Sequence, residues 1–185
     1  MYEAFSQDYD YFVNWQGRLD FELPFIVAQL GEARPLRVLD AACGTGWHAI
    51  ALAQRGCQAA GADISPAMIE RARLNAAQSG VPVRFEAAGF GALSATFGAQ
   101  GFDALLCLGN SLPHLLSEQS LHEALLDFAG CLRPGGLLIL QNRNFDQVLH
   151  TRQRWMEPQS HRQGEAEWLF LRFYDFDPDG LITFN

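Results

Sequence analysis

From residue 36 onward, short apolar runs rich in β-formers alternate with segments of helical spacing. LRVLDAA (36–42) predicts a strand, GWHAIALAQR (46–55) a helix, and CQAAGAD (57–63) a second strand. Ser65 then caps a helix that has Pro66 at its first position and runs through MIERARLNAAQ (68–78). VRFEA (83–87) and FDALLCL (102–108) predict strands three and four. SLHEALLDFAGCL (120–132) predicts a helix stopped by Arg133-Pro134-Gly135-Gly136, and LLILQNR (137–143) a fifth strand. Strands separated by helices need crossover connections, so the expected fold is α/β: a Rossmann-like, doubly wound, mostly parallel sheet flanked by helices.

The two ends of the chain break this rhythm. Residues 1–33 read as an aromatic-rich helical cap, residues 34–145 as the core, and residues 146–185 as a partial antiparallel region, the whole forming a single domain. EWLFLRFYDF (167–176), a turn at Asp177 to Gly180 and LITFN (181–185) predict a hairpin. Because the pattern stops inside a strand, the expectation is that the C-terminal region is cut short.

Composition narrows the function without naming it. The 185 residues are 49% hydrophobic and 18% charged, as expected of a globular domain. A net charge of −8, from 21 acidic and 13 basic residues with no basic run, argues against nucleic acid as substrate and for a small molecule. No stretch approaches the ~18 apolar residues of a membrane span, and MYEAFSQDYD has no signal-peptide pattern. Cys43, Cys57, Cys107 and Cys131 are spread without a metal-pair or disulfide spacing. A cytoplasmic protein without a metal is expected, and its oligomeric state stays open.

Candidate chemistry begins at the first turn. Val38-Leu39-Asp40-Ala41-Ala42-Cys43-Gly44-Thr45-Gly46 carries a strand into a glycine turn, where a backbone without side chains lets a ligand approach. Asp63, at the end of the second strand, is suitably placed to accept from the hydroxyls of a ribose. Gly44, Gly46 and Ala49 also satisfy GxGxxA, so these residues serve a dinucleotide or a methyl donor alike. Asp40 tilts the choice, because an acid upstream of the turn suits an ammonium and a sulfonium better than a pyrophosphate.

DAACGTG and the acid in GADISPAMIERAR resemble the motifs of class I S-adenosylmethionine-dependent methyltransferases. Phe102-Asp103-Ala104-Leu105-Leu106-Cys107-Leu108-Gly109-Asn110-Ser111-Leu112-Pro113-His114-Leu115 and Asn142-Arg143-Asn144-Phe145-Asp146 are similar to the glycine and sarcosine N-methyltransferases. The resemblance implies S-adenosyl-L-methionine as cofactor, held by Arg18, Asp40, Ala42, Gly44, Gly46, Asp63, Ile64, Met68, Phe90 and Leu108. It also implies an acceptor bound by Tyr11, Asn110, His114 and Arg143, with Asn110 orienting it and Arg143 holding its carboxylate.

Departures and alternatives remain beside this reading. Glu86-Ala87-Ala88-Gly89-Phe90 lacks the common third-strand Asp, leaving Phe90 either beside the adenine or in the core. Arg143 also suits an ion pair with Asp146 or a neighbouring acid, and His114 a structural hydrogen bond. A different N or O acceptor, a dinucleotide-dependent oxidoreductase and a non-catalytic binding module are the rival functions.

Overall fold

The computed structural model describes residues 9–31 and 35–185. Residues 1–8, 32 and 33 of the expected cap, and residue 34 of the expected core, lie outside the described residues. One compact unit comprises Tyr9, Asp10 and Trp15–Asn142; a second comprises Tyr11–Asn14 and Arg143–Asn185.

In the first unit, five parallel strands lie in the order β3-β2-β1-β4-β5: β1 (Arg37–Asp40), β2 (Gln58–Asp63), β3 (Arg84–Ala87), β4 (Phe102–Cys107) and β5 (Leu132–Leu140). The order reverses between β1 and β4, which pair through Val38 with Ala104 and Asp40 with Leu106. In such sheets the crevice beyond the carboxyl ends at the reversal is where ligands bind.

Both faces of the sheet are buried, as parallel sheets require. Val38, Ala104 and Leu106 join a core with Ile50, Leu52 and Ile69, contributed by α3 (Trp47–Ala53) and α4 (Pro66–Ser79). Leu39 and Leu105 point to the opposite core with Leu93 of α5 (Leu93–Phe97) and Phe128 of α6 (Glu118–Cys131). Leu23 and Ile26 of α2 (Trp15–Leu30), which follows α1 (Tyr9–Phe12), complete the first core.

Local chemistry explains the boundaries. The Ser65 hydroxyl accepts from the Met68 amide at 3.4 Å with Pro66 following, so the predicted start of α4 stands. α6 begins at Glu118 rather than Ser120, because Ser117 accepts from the Ser120 amide at 3.1 Å and caps it. Arg133 to Gly136 is no free loop after that helix. β5 starts at Leu132 opposite Phe102 and resumes its pairing at Leu137 opposite Ala104, so these residues form a bulge within the strand. β5 then ends at Leu140 instead of Arg143.

The second unit holds α7 (Phe145–Thr151) and two antiparallel pairs, β6 (Gln159–Gln163) with β7 (Ala166–Phe170) and β8 (Tyr174–Phe176) with β9 (Ile182–Phe184). The second pair is the hairpin expected around Asp177 to Gly180. The run 167–176, read as one strand, is divided: Glu167 to Phe170 belong to β7, and Tyr174 to Phe176 to β8. No helix among the described residues is long and apolar enough to cross a membrane.

Candidate active site

At the carboxyl ends of β1 and β4 lies a small recess lined by Tyr9, Trp15, Arg18, Asp40, Ala42, Cys43, Gly44, His48, Leu108, Gly109 and Ser111. Its floor is Asp40. Both carboxylate oxygens are buried and, among the described residues, make no well-formed hydrogen bond, although the Ala42 backbone amide acts on the group. Burial pushes its pKa up to about 6, against the pull of the His48 and Arg18 charges and with a smaller push from Asp63. A buried carboxylate so poorly bonded is costly unless a cation meets it.

Two further carboxylates fasten α1 and α2 to the core beside this recess. Asp10 Oδ1 accepts from Trp15 Nε1 at 2.9 Å, Thr45 Oγ1 at 2.7 Å and Trp47 Nε1 at 3.1 Å. Its Oδ2 accepts from Arg71 Nε at 3.0 Å and Asn75 Nδ2 at 3.1 Å. Burial alone would raise the Asp10 pKa, but the donors from Thr45, Arg71, Asn75 and Trp47 together hold it below its ordinary value.

Glu22 accepts from Arg18 Nε at 3.0 Å and Gln141 Nε2 at 2.7 Å, and stands 2.7 Å from His48 Nε2. Burial opposes its charge, yet the bond from His48 and the charge and bond of Arg18 carry its pKa down to about 2. A carboxylate so held only accepts, so His48 Nε2 carries the proton. Gln141 in turn accepts from the Gly109 amide at 2.9 Å, which links the ends of β4 and β5 to α2.

The glycine turn divides its labour. Gly44, at φ 53°, lies in the recess, where an added Cβ would stop 3.8 Å from Tyr9. Gly46, at φ 87°, is buried in packing: a Cβ there would lie 2.6 Å from Phe85 Cζ and 2.9 Å from Ala72 Cβ. Gly46 therefore permits helix and strand to close together and is not among the residues of the recess.

Asp63 accepts from the Gly44 amide at 2.9 Å and the Ser65 amide at 2.9 Å, which fixes the end of β2 against the turn. Burial raises its pKa, opposed by those two amides.

The recess thus gathers Arg18, Asp40, Ala42, Gly44 and Leu108 from the sequence-derived set, while Asp63, Ile64, Met68, Phe90, Asn110 and His114, like Gly46, are not among its lining. Ile64 is 79% exposed and Met68 is buried in α4. Phe90 meets the edge of Phe128 with centroids 5.1 Å apart. Asn110 has φ 67°, and its amide donates to the Gln141 carbonyl at 3.3 Å. His114 ends an exposed 3-10 turn, Leu112–His114.

Tyr11 and Arg143 belong to the second unit. Tyr11 stacks on His161 and lies tilted against Trp168, with centroids 4.7 Å apart in each pair. Arg143 Nη1 donates to the Tyr174 hydroxyl at 3.1 Å. Sequence reasoning missed Asp10, Glu22 and His48. Only the clustering of acids within an aromatic segment hinted at the first two, and nothing in the pattern singled out the third.

A Rossmann-like sheet with a buried, poorly bonded acidic floor at its switch point defines a nucleoside-cofactor domain suited to a cationic ligand. Residues 38–136 match the family described as methyltransferase domain, and the chain belongs to that family. It is 37% identical over 147 residues to a glycine/sarcosine N-methyltransferase of Parasynechococcus marenigrum, covering 80% of this chain and 52% of that protein. It is 40% identical over 125 residues to the glycine N-methyltransferase of Rattus norvegicus, covering 62% of this chain and 43% of that one. The chain therefore spans about half the length of the curated relatives it matches.

An S-adenosylmethionine-dependent methyltransferase from Clostridium acetobutylicum shares the fold at a TM-score of 0.67 and 16% identity, covering 100% of this chain and 79% of that chain. The cofactor that goes with the family is S-adenosyl-L-methionine. The residues fit it: Asp40 lacks the cation its burial demands, Arg18 brings a guanidinium to the same recess, and Gly44 leaves backbone open beside them.

Proposed function

We propose that the protein transfers a methyl group from S-adenosyl-L-methionine to the amine of a small, carboxylate-bearing acceptor of the glycine kind. The carrying observation is the buried Asp40 carboxylate, without a well-formed hydrogen bond, in one recess with the Arg18 guanidinium, whose Nε is held by Glu22: an anion and a cation for the two charges of an amino-acid moiety. Asp40 meets the ammonium of the donor and Arg18 its carboxylate, while Asp63 accepts from the ribose hydroxyls. When bound, the cofactor supplies a methyl group made electrophilic by its sulfonium. What the chain then contributes is alignment rather than a nucleophile or an acid.

On the acceptor side, Arg143 binds the carboxylate through its planar fork of donors, and Asn110 orients the amine. The support is the 37% identity to a glycine/sarcosine N-methyltransferase and the resemblance of the fourth- and fifth-strand segments to that family. Other small N or O acceptors are the alternative. The acidic chain suits a small molecule better than nucleic acid.

The test is calorimetric titration with S-adenosylhomocysteine and, separately, with NAD, followed by methyl transfer to glycine and sarcosine. Binding of the sulfur nucleoside alone, with turnover lost in Arg143→Gln, is expected. Binding of NAD instead moves the protein to the oxidoreductases; nucleoside binding without any turnover makes it a binding module.

A further inference from the structure

Four residues around the recess close a ring. Arg18 Nε donates to both Glu22 oxygens, at 3.2 and 3.0 Å. Gln141 Nε2 donates to Glu22 Oε1 at 2.7 Å, and Gln141 Oε1 accepts from the Gly109 amide at 2.9 Å. The ring closes at Gly109, where an added Cβ would stand 3.1 Å from Arg18 Nη2, so the guanidinium rests against backbone that has no side chain to push it away. Arg18 and Gly109 line the recess, whereas Glu22 and Gln141 are not among its lining. The main chain of Gln141 grips the same turn. Its amide donates to the Cys107 carbonyl at 3.0 Å, and its carbonyl accepts from the Asn110 amide at 3.3 Å. Gly109 and Asn110, at φ 72° and 67°, are thus both anchored on this one residue.

A neutral amide serves both ends of this grip, because Gly109 presents a donor and Glu22 a carboxylate that only accepts; a carboxylate or an aliphatic chain at 141 serves one end or neither. Gln141 is exposed, and ordering a long exposed side chain through two bonds for which water competes adds little to folding. Its two bonds set a distance instead. We infer that Gln141 is a positioning residue for methyl transfer: one end of its side chain sets Arg18, through Glu22, toward the donor's carboxylate, and the other holds the Gly109–Asn110 turn from which Asn110 meets the acceptor. A single residue then keeps the donor and acceptor groups in register, and a displacement that depends on alignment is sensitive to that register.

The inference rests on the roles proposed for Arg18 and Asn110, and two variants of the whole chain test it. Gln141→Met keeps the length and loses both bonds; Gln141→Glu keeps the acceptor for Gly109 and turns a second oxygen on Glu22. Both are expected to melt within a few degrees of wild type. In calorimetry Gln141→Met is expected to bind S-adenosylhomocysteine about fivefold more weakly, and with saturating donor to lose about tenfold in kcat for glycine with KM little changed. Gln141→Glu should fall further behind wild type at pH 8 and recover most of the difference by pH 5, where the facing carboxyls share a proton and one of them donates again. A purely structural role gives no such recovery. Wild-type affinity and turnover in both variants, or a Gln141→Glu deficit that acid does not narrow, overturns the inference. Where wild type itself binds no nucleoside, the methyl-transfer reading fails and NMR of the ligand-free chain decides on the grip. An Arg18 Nε–H signal displaced in Gln141→Met keeps Gln141 as the residue that sets Arg18, and an unmoved signal removes it.

Discussion

The amide of Gly44 donates to the Asp63 carboxylate at 2.9 Å across nineteen residues of sequence. That bond locks the turn after β1 to the end of β2, so the conformation of the glycine backbone depends on an acid one strand away. Asp63→Ala removes the acceptor from two amides, Gly44 and Ser65, at a cost of about 1–3 kcal/mol each where no water replaces it. A fall of several degrees in Tm is expected, together with at least about tenfold weaker S-adenosylhomocysteine binding in calorimetry at 15 °C, where the variant is still folded. Unchanged affinity would confine Asp63 to a structural role.

The two glycines of the turn should separate cleanly. Gly46→Ala places a methyl group 2.6 Å from the buried Phe85 ring and 2.9 Å from Ala72, in a left-handed backbone, with no flexible group to yield. Overpacking costs about 1–3 kcal/mol and left-handed strain about 1–2 more, which should unfold much of the protein at growth temperature. Gly44→Ala suffers only the strain, because its new methyl group has 3.8 Å to Tyr9. The second variant should melt within a few degrees of wild type and still lose nucleoside affinity. Thermal denaturation with a parallel titration reads both.

How much of this was written in the chain depends on the residue. Parallel strands buried on both faces give continuous apolar runs, so β1 to β4 stood out within a residue or two at each boundary. Asp40, Gly44 and Asp63 were legible because a turn between strand and helix constrains which residue types fit. Gly46 was legible as a glycine but not as a packing glycine, since Phe85 approaches it from a strand some forty residues later. The bulge at Arg133 to Gly136 was hidden because proline and paired glycines ordinarily end an element, and only the pairing of β5 with β4 on both sides of it reveals a strand. Asp10 and Glu22 carry no periodic signature: apart from one nearby donor each, Asp10 takes its partners 35 to 65 residues away, from Thr45 to Asn75, and Glu22 takes His48 and Gln141 at 26 and 119. The division of residues 167–176 between two strands likewise turns on partners, β6 and β9, that local propensity does not specify.

Asp40 predicts a pH dependence of its own. Its pKa moves from an ordinary 3.8 to about 6 through burial, so the folded protein binds this proton more tightly than the unfolded chain. The associated stability is fully present below pH 4 and is lost as pH rises through 6, a difference of about 3 kcal/mol by the shift alone. Asp40→Asn should therefore melt higher than wild type at pH 7.5, and the gap should close toward pH 4. Because a donor ammonium needs the ionised form, wild-type affinity for S-adenosylhomocysteine should rise between pH 5 and 7 with release of a proton. Asp40→Asn should bind more weakly at neutral pH and without that rise. Calorimetry in two buffers of different ionisation enthalpy measures the proton directly.

Glu22 works in the opposite direction. Its pKa falls from 4.5 to about 2, so its contribution is present above pH 4.5 and lost as pH falls toward 2. With solvent reaching part of the carboxylate, the unscreened figure must be discounted, leaving about 1–2 kcal/mol. Glu22→Gln keeps the shape but gives up the charge that pairs with Arg18 and one of the two acceptor oxygens, so His48 Nε2 and Gln141 Nε2 can no longer both find an acceptor. Its Tm should lie several degrees below wild type at pH 7, with the difference shrinking as the pH is lowered through 3. The variant also frees Arg18 to sample other rotamers, so nucleoside affinity should fall a few-fold, less than in Arg18→Gln, where the charge itself is lost. If Glu22→Gln matched Arg18→Gln in affinity, the carboxylate would be doing more than holding the guanidinium in place. If it bound as wild type does, the α2 arginine would need no orientation to meet the donor.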